Sequence, residues 1–398
     1  MSLRWRRAPR GATIDDLAHP ESPGSFVSGR GIVDIRSEDR LDIAVIGPSR
    51  FPIREPYAGG LEVVVAKEVR ALRDRGHRVT LFAAAGSEDH DRRFEFTTMA
   101  AATGFGDSFY PPGGYEADAA EFDRLMDHLA GSSFDVILNH SLSHVPLVRA
   151  AGMPAPVITT LHCPPLAAMQ EAFDRLGSAT GQVLAVSRSV LSAWQIPHGA
   201  EVLPNGVDMT VWSPRPAPTG PHRAVWMGRI VPEKGPHLAV EAARRAGLEL
   251  DIAGRVGDRD YMNRVLAPRL RAAGEAVRFH GPLGRDALVP LVAGASVALV
   301  TPCWEEPFGL TSVEALACGT PVVALARGGT REILSGQPGV VLVKLGPDPA
   351  SALAAGIPAA LTMDRTATAR AAAAAFSHDA RIDSLEARLR GLPVGAAL

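Results

Sequence analysis

Two glutamates eight positions apart, Glu306 and Glu314, hold the densest chemical information in this chain. Glu306 stands in Trp304-Glu-Glu-Pro-Phe-Gly-Leu, a loop composition that leaves backbone amides free. Glu314 stands among Val313, Ala315, Leu316 and Ala317, where an unpartnered carboxylate costs free energy and a ligand hydroxyl would satisfy it. A helix that begins just behind the loop adds a site suited to an anion. A second pair of chemical interest, Arg229 and Lys234, follows the apolar run Ala224-Val-Trp-Met. Arg grips phosphate oxygens with two parallel donors, whereas Lys acts as a point charge. Gly59 and Gly60 let the backbone approach a ligand closely, or form a plain turn, and Glu62 complements the first turn of the helix behind them.

These residues need elements to hold them. Ala295-Ser-Val-Ala-Leu-Val reads as a buried strand, Gly309 to Ala317 as a helix closed by Gly319, and Pro321-Val-Val-Ala-Leu as the next strand. Leu41 to Gly47, a helix through Arg73 and His77 to Ala83 form a βαβ unit with the glycine pair at its first strand-to-helix turn. Phe134–His140, Pro156–His162 and Gln182–Ser187 read as further parallel strands, and residues 86 to 118 as a long irregular loop of the kind that is more often functional than idle. The Pro-rich stretch Val211–Pro221 marks a domain boundary. Strands at Arg223, Leu248, Ala276, Val297, Pro321 and Gly339 form a second set, followed by an Ala-rich helix near 366–376 and a charged helix from His378 to Arg390. The expected fold is α/β: two doubly wound, Rossmann-like domains over 39–210 and 211–375, facing each other across a cleft. Residues 376–398 return toward the first domain, and a mobile extension spans 1–38.

Bulk properties narrow the classes. A chain of 398 residues exceeds what one core usually supports. A net charge of −2 supplies no basic field for nucleic acid. Cys163, Cys303 and Cys318 have no metal-ligand spacing and read as reduced thiols of a cytoplasmic protein. Arg6-Arg7 has no apolar segment behind it, so it is not read as an export signal, and no apolar run reaches the length of a membrane span. No G-x-G-x-x-G follows Ile43-Ala-Val-Ile, which speaks against an NAD-dependent dehydrogenase.

The chain resembles the retaining, nucleotide-sugar-dependent glycosyltransferases of the GT-B fold with an E-x7-E motif, glycosyltransferase family 4. The resemblance rests on Glu306 and Glu314 together with Pro204-Asn-Gly-Val-Asp208, Gly228-Arg-Ile-Val-Pro-Glu-Lys-Gly235, Phe279-His-Gly-Pro and Phe376-Ser377, all in the family's order over roughly residues 40 to 390. The first turn, Pro56–Glu62, and Arg75–Ala83 resemble most closely a bacterial subgroup with an antibiotic-pathway member.

The resemblance implies catalytic roles for His162, Glu306, Arg229 and Lys234. It implies donor contacts for Gly59, Gly60, Glu314 and the amides of Phe308, Gly309, Leu310 and Thr311. Arg229 and Lys234 would face the diphosphate leaving group, Glu314 the ribose, Glu306 the sugar hydroxyls, and His162 the sugar from across the cleft, with His140 as a rival. Glu305 lacks the motif spacing. Asn205 and Asp208 shape the interdomain loop or serve its turns. The implied donor is a nucleoside-diphosphate sugar, the acceptor a small molecule or glycan. No cofactor or metal is implied, since no Asp-x-Asp motif stands where a sugar-nucleotide site needs it. A GT-B sugar-nucleotide epimerase and a non-catalytic sugar-nucleotide-binding protein are the alternatives. The four charged residues speak against the first, and a His162 turned from the cleft would favour the second.

Overall fold

The computed structural model describes residues 40–101, 110–216 and 220–392. The extension expected over 1–38 and part of the long loop lie outside them. Two six-stranded sheets, parallel throughout, organise the chain. The first contains β1 (Asp42–Ile46), β2 (Arg78–Phe82), β3 (Val136–Asn139), β4 (Val157–Leu161), β5 (Gln182–Ala185) and β6 (Glu201–Val202), in the order β2-β1-β3-β4-β5-β6. The second contains β7 (Arg223–Met227), β8 (Glu249–Ala253), β9 (Val277–Gly281), β10 (Val297–Val300), β11 (Val322–Leu325) and β12 (Val340–Val343), in the order β12-β11-β10-β7-β8-β9. Helices cover both faces of a parallel sheet, so its inner strands are buried throughout. That is why β3, β4 and β11 are buried at every position, and why β11 reads as an unbroken apolar run rather than an alternating one.

Each sheet reverses its winding once. From β1 the chain goes outward to β2 and then returns to β3 on the other side. From β7 it goes to β8 and β9 and returns to β10. Such a reversal leaves a crevice at the carboxyl ends of the two strands involved. Gly59-Gly60 and His140 follow β1 and β3, and Arg229 and the Thr301–Glu306 loop follow β7 and β10.

The two crevices face each other. Arg255, after β8, donates to the carbonyl of Ala58 at 3.1 Å, and the Ser187 hydroxyl, after β5, donates to the carbonyl of Pro307 at 2.6 Å. One apolar cluster runs through both halves, joining Phe173, Val186 and Val190 to Phe308 and Leu334, with Val207 and Phe376 from the connecting segments.

The chain crosses between domains twice, and the crossings pair. The amide of Val207 donates to the carbonyl of Phe376 at 2.8 Å, and the amide of His378 to the carbonyl of Val207 at 3.0 Å. Gly206 permits this approach, because a Cβ there would sit 2.5 Å from His378 Cα. The helix His378–Arg390 then packs on the first domain through Ile382, Leu385 and Leu389, and Glu386 takes a 2.9 Å hydrogen bond with His77.

Two details differ from expectation. The 86–118 stretch is less irregular than its composition implies: a 3-10 turn forms at Arg92–Phe94, and a helix begins at Gly114. The edge strand β6 has only two residues, too short to leave a periodic signal.

Candidate active site

Lys234 and Glu306 meet directly. The Lys234 ammonium lies 2.6 and 2.7 Å from the two carboxylate oxygens of Glu306, and the Trp304 indole N–H donates to Glu306 Oε2 at 2.8 Å. Lys234 also lies 5.4 Å from the centre of the Trp304 ring, a cation–π contact. Glu306 is 7% exposed and Lys234 half-buried, so the carboxylate of the pair is the part withdrawn from water. The neighbouring Glu305 points elsewhere, to Arg327 at 3.1 Å, which separates the two glutamates that composition alone leaves side by side.

Close backbone packing holds these side chains. Gly235, at φ +61°, follows Lys234, and a Cβ there would lie 2.4 Å from the carbonyl of Thr301. The Thr301 hydroxyl stands 2.9 Å from the carbonyls of Lys234 and Gly235 and accepts from the Trp226 indole at 2.9 Å. Gly328 and Gly329 lie against Glu306 and Pro307 so closely that Cβ atoms would fall 2.6 and 2.2 Å from their backbones. Gly309, at φ +88°, caps the helix Leu310–Ala317. Its left-handed conformation turns the chain so that the first helical amides open beside Glu306. Lys234, Glu306, Gly309 and Thr311 line one small recess. A larger cavity of about 260 Å³ lies between Val211, Arg215 and Arg285 and has none of these four in its walls.

Glu314 lies in the same helix, 9% exposed, and its carboxyl group forms no hydrogen bond among the described residues. Burial raises its carboxyl to about 7, and the nearby Lys67 only partly opposes this. Phe308 puts its ring in the core, so only its backbone is available to a ligand.

From the facing domain, a Cβ on Gly60 would come within 3.2 Å of Leu310 Cδ1. One on Gly59 would come within 3.2 Å of Glu62 Oε2 and 3.9 Å of the Arg229 side chain. The glycine pair therefore lies against the start of the Leu310–Ala317 helix and against Arg229. Glu62 is buried.

His162 and its rival His140 are hydrogen-bonded to each other, Nε2 to Nδ1 at 2.9 Å. Behind them His140 Nε2 lies 2.8 Å from Glu68 Oε1, and Arg381 donates to Glu68 Oε2 at 2.6 Å. Burial pushes His162 well below the ordinary histidine range, with repulsion from His140 when that ring is protonated, and from Arg381, adding to it. Burial alone would raise the Glu68 carboxyl, but His140 and Arg381 hold it below the usual carboxylate range. The roles of Glu68, Arg381 and the interdomain Arg255 have no signature in the sequence, since each depends on a partner far away in the chain. Glu332 is similar: its carboxylate accepts from the amides of Arg188 and Ser189 at 3.0 and 2.8 Å, one domain capping a helix of the other.

With this geometry in view, comparison with known proteins is informative. The Glycosyltransferase Family 4 model matches residues 58–211, and the Glycosyl transferases group 1 model matches residues 213–375. A D-inositol 3-phosphate glycosyltransferase of Geodermatophilus obscurus is 31% identical over 405 residues, covering 87% of this chain and 88% of that protein. The chain belongs to the family 4 glycosyltransferases. A glycogen synthase of Mycobacterium tuberculosis is 36% identical over 181 residues, and the aligned part of this chain spans 42% of that enzyme's length. Anabaena HepE in complex with UDP-glucose has the same fold, with a TM-score of 0.66 at 19% identity over 89% of this chain and all of that one. The family member's two sheets and facing crevices are thus those of a GT-B protein. Among its described residues no helix is long and apolar enough to cross a membrane.

Proposed function

We propose that this family 4 protein is a retaining glycosyltransferase that moves a sugar from a nucleoside-diphosphate sugar to an acceptor lying on the first domain. The observation that carries the reading is the pairing of half-buried Lys234 with buried Glu306 beside the open amides of the Gly309-capped helix, opposite Gly59 and Gly60. The related D-inositol 3-phosphate glycosyltransferase and the UDP-glucose complex of HepE support a sugar nucleotide as donor.

In this reading the diphosphate lies against the first amides of the helix Leu310–Ala317, with Arg229 and Lys234 supplying positive charge. That charge is placed where the leaving oxygen becomes negative as the anomeric carbon–oxygen bond breaks. Glu306 accepts from sugar hydroxyls and Glu314 from the ribose. The acceptor oxygen attacks from the face the phosphate leaves, forming the new bond to the anomeric carbon. Its proton passes to the departing phosphate oxygen, so no side-chain nucleophile takes part. Two cations at the diphosphate support transfer without a metal. The domains close round the donor and exclude water that would hydrolyse it.

The test is a thermal-shift screen of UDP-, GDP-, ADP- and TDP-sugars, followed by proton NMR of the glycoside formed from the donor that stabilises most. A product with the donor's anomeric configuration, formed at the same rate after chelation with EDTA, is expected. Inversion, or loss of rate on chelation with recovery on adding Mg²⁺ or Mn²⁺, refutes the corresponding part. Binding without transfer to any of a panel of acceptors would favour a sugar-nucleotide-binding protein.

A further inference from the structure

The hydrogen-bonded row Arg381–Glu68–His140–His162 runs from the C-terminal helix through the first domain to the end of β4. Arg381, Glu68 and His140 are 5%, 1% and 1% exposed, so the row is dry for most of its length. His162 is its partly exposed end, and its Nδ1 has no partner among the described residues. It stands at the carboxyl end of β4, between the Ala58–Gly60 loop and Ser187, both of which touch the second domain.

The proton positions along this row follow from what each group can do. A guanidinium only donates, so Glu68 Oε2 accepts from Arg381. An ionised carboxylate only accepts, so His140 Nε2 carries a hydrogen and donates to Oε1. The scheme holds with both imidazoles neutral, Arg381 supplying the cation that matches Glu68. Neutral His140 then has a bare Nδ1, and His162 Nε2 must supply the hydrogen between the rings. A neutral imidazole has one N–H, so His162 Nδ1 is left as a lone pair.

We propose that Glu68, held by Arg381, fixes the tautomers of His140 and His162 so that His162 presents a bare Nδ1 to the cleft, an acceptor for a hydroxyl of the donor sugar. Glu68 and His140 are positioning residues in this scheme, and its last clause rests on the glycosyltransferase reading above.

The decisive variant is Glu68→Gln. Arg381 accepts nothing, so the amide oxygen must face it and the amide N–H must face His140. That reverses both rings: His140 Nε2 becomes bare, Nδ1–H donates to His162 Nε2, and His162 turns an Nδ1–H toward the cleft. Long-range nitrogen–proton NMR of the imidazoles in the full chain reads these states without any nucleotide, so this result is independent of the donor reading. Nε2–H on both histidines in the natural protein and Nδ1–H on both in Glu68→Gln are expected. With a reversed acceptor, kcat/KM for the sugar donor should fall roughly ten- to hundred-fold, the usual effect of an orienting partner, while the Kd for UDP stays unchanged. Glu68→Gln combined with Arg381→Met frees the amide to turn its oxygen to His140, and should restore the Nε2–H tautomers and most of the rate. His162 found as the Nδ1–H tautomer in the natural protein, or tautomers unmoved in folded Glu68→Gln, would overturn the proposal. Correct tautomers with an unaltered rate would overturn the role toward the sugar and leave the row as a structural one.

Discussion

Glu314 and Glu68 are both buried, one in each domain, and the protein treats them in opposite ways. Glu68 has two partners of its own, and its carboxyl is held below the usual range. The Glu314 carboxyl group has no hydrogen-bond partner among the described residues, and burial lifts it to about 7. The contrast extends to the domain faces around them. On the second domain, glycines wedge the backbone of the Thr301–Gly309 loop into place, and some of its polar capacity is left for a ligand. On the first, side chains from remote segments pair along one row, with the His162 ring at its open end. A donor-holding face benefits from unmet hydrogen-bonding groups that stay put. A face that must present one group in one orientation benefits from satisfied groups behind it.

The sharpest way to break this contrast is to remove the charge at the centre of the second face. Lys234→Ala deletes the cation and leaves the Trp304 indole as the one remaining hydrogen-bond partner of the Glu306 carboxylate among the described residues. Turnover should fall by an amount equivalent to about 2–4 kcal/mol of transition-state stabilisation, and Arg229→Ala should behave alike. Rates within a factor of two of the natural protein for both would sink the assignment of this face to the diphosphate.

Next in size is Glu314. With a folded pKa of about 7 against the model-peptide value of 4.5, the folded state holds the proton more tightly than the unfolded one. Below about 4.5 both states are protonated and stability is unaffected. As pH rises from there through about 7 the unfolded state releases its proton first, so stability falls and then levels off. Glu314→Gln should abolish this decline, leaving the variant more stable than the natural protein at pH 8 by on the order of 3 kcal/mol. Denaturant titrations of both proteins from pH 5 to pH 8 measure it, and parallel curves would show that Glu314 is solvated or paired in solution.

Backbone wedging is tested by Gly235→Ala. The left-handed φ of +61° and the 2.4 Å approach to the Thr301 carbonyl should together cost about 2 kcal/mol, seen as a lowered Tm and weakened UDP binding. An unchanged Tm would mean that the loop is not held by this contact. The smallest effect belongs to the contact between the faces. Glu332→Ala frees two helix amides and should cost roughly 1 kcal/mol or less. It should raise the radius of gyration of the free protein in small-angle scattering, with saturating UDP bringing it back down. No difference between the free forms would remove Glu332 as a latch.

What could be read from the sequence and what could not divide along the same line. The second face was legible because its polar groups sit in one stretch: Glu306, Gly309 and Glu314 share a loop and the helix behind it, and Gly235 follows Lys234 directly. Strands such as β1, β10 and β11 were legible because burial on both faces makes them mostly apolar runs. On the first face, Glu68 and Arg381 are 313 positions apart, and nothing local marks either as the other's partner. His140 and His162 were both visible as strand-end histidines and looked like rivals. Only the adjacency of β3 and β4 turns them into a pair. The helix start at Gly114 was hidden because its first turn, Gly-Tyr-Glu-Ala, continues the Gly- and acid-rich composition of the loop before it.

The paired crossings at Val207 and His378 also bear on how the molecule is made. The helix His378–Arg390 belongs to the core of the first domain, yet a ribosome produces it only after the whole second domain. Until then Ile43, Val45 and Val65 lack part of their apolar cover, and Glu68 lacks its counter-ion. The second domain has no such debt to a later segment on its inner strands, so it can reach its native packing during synthesis, while the first waits with a carboxylate half satisfied. A released chain ending just before residue 378 should therefore show protease resistance in its later half and susceptibility in its earlier one, the reverse of the order in which the two were translated.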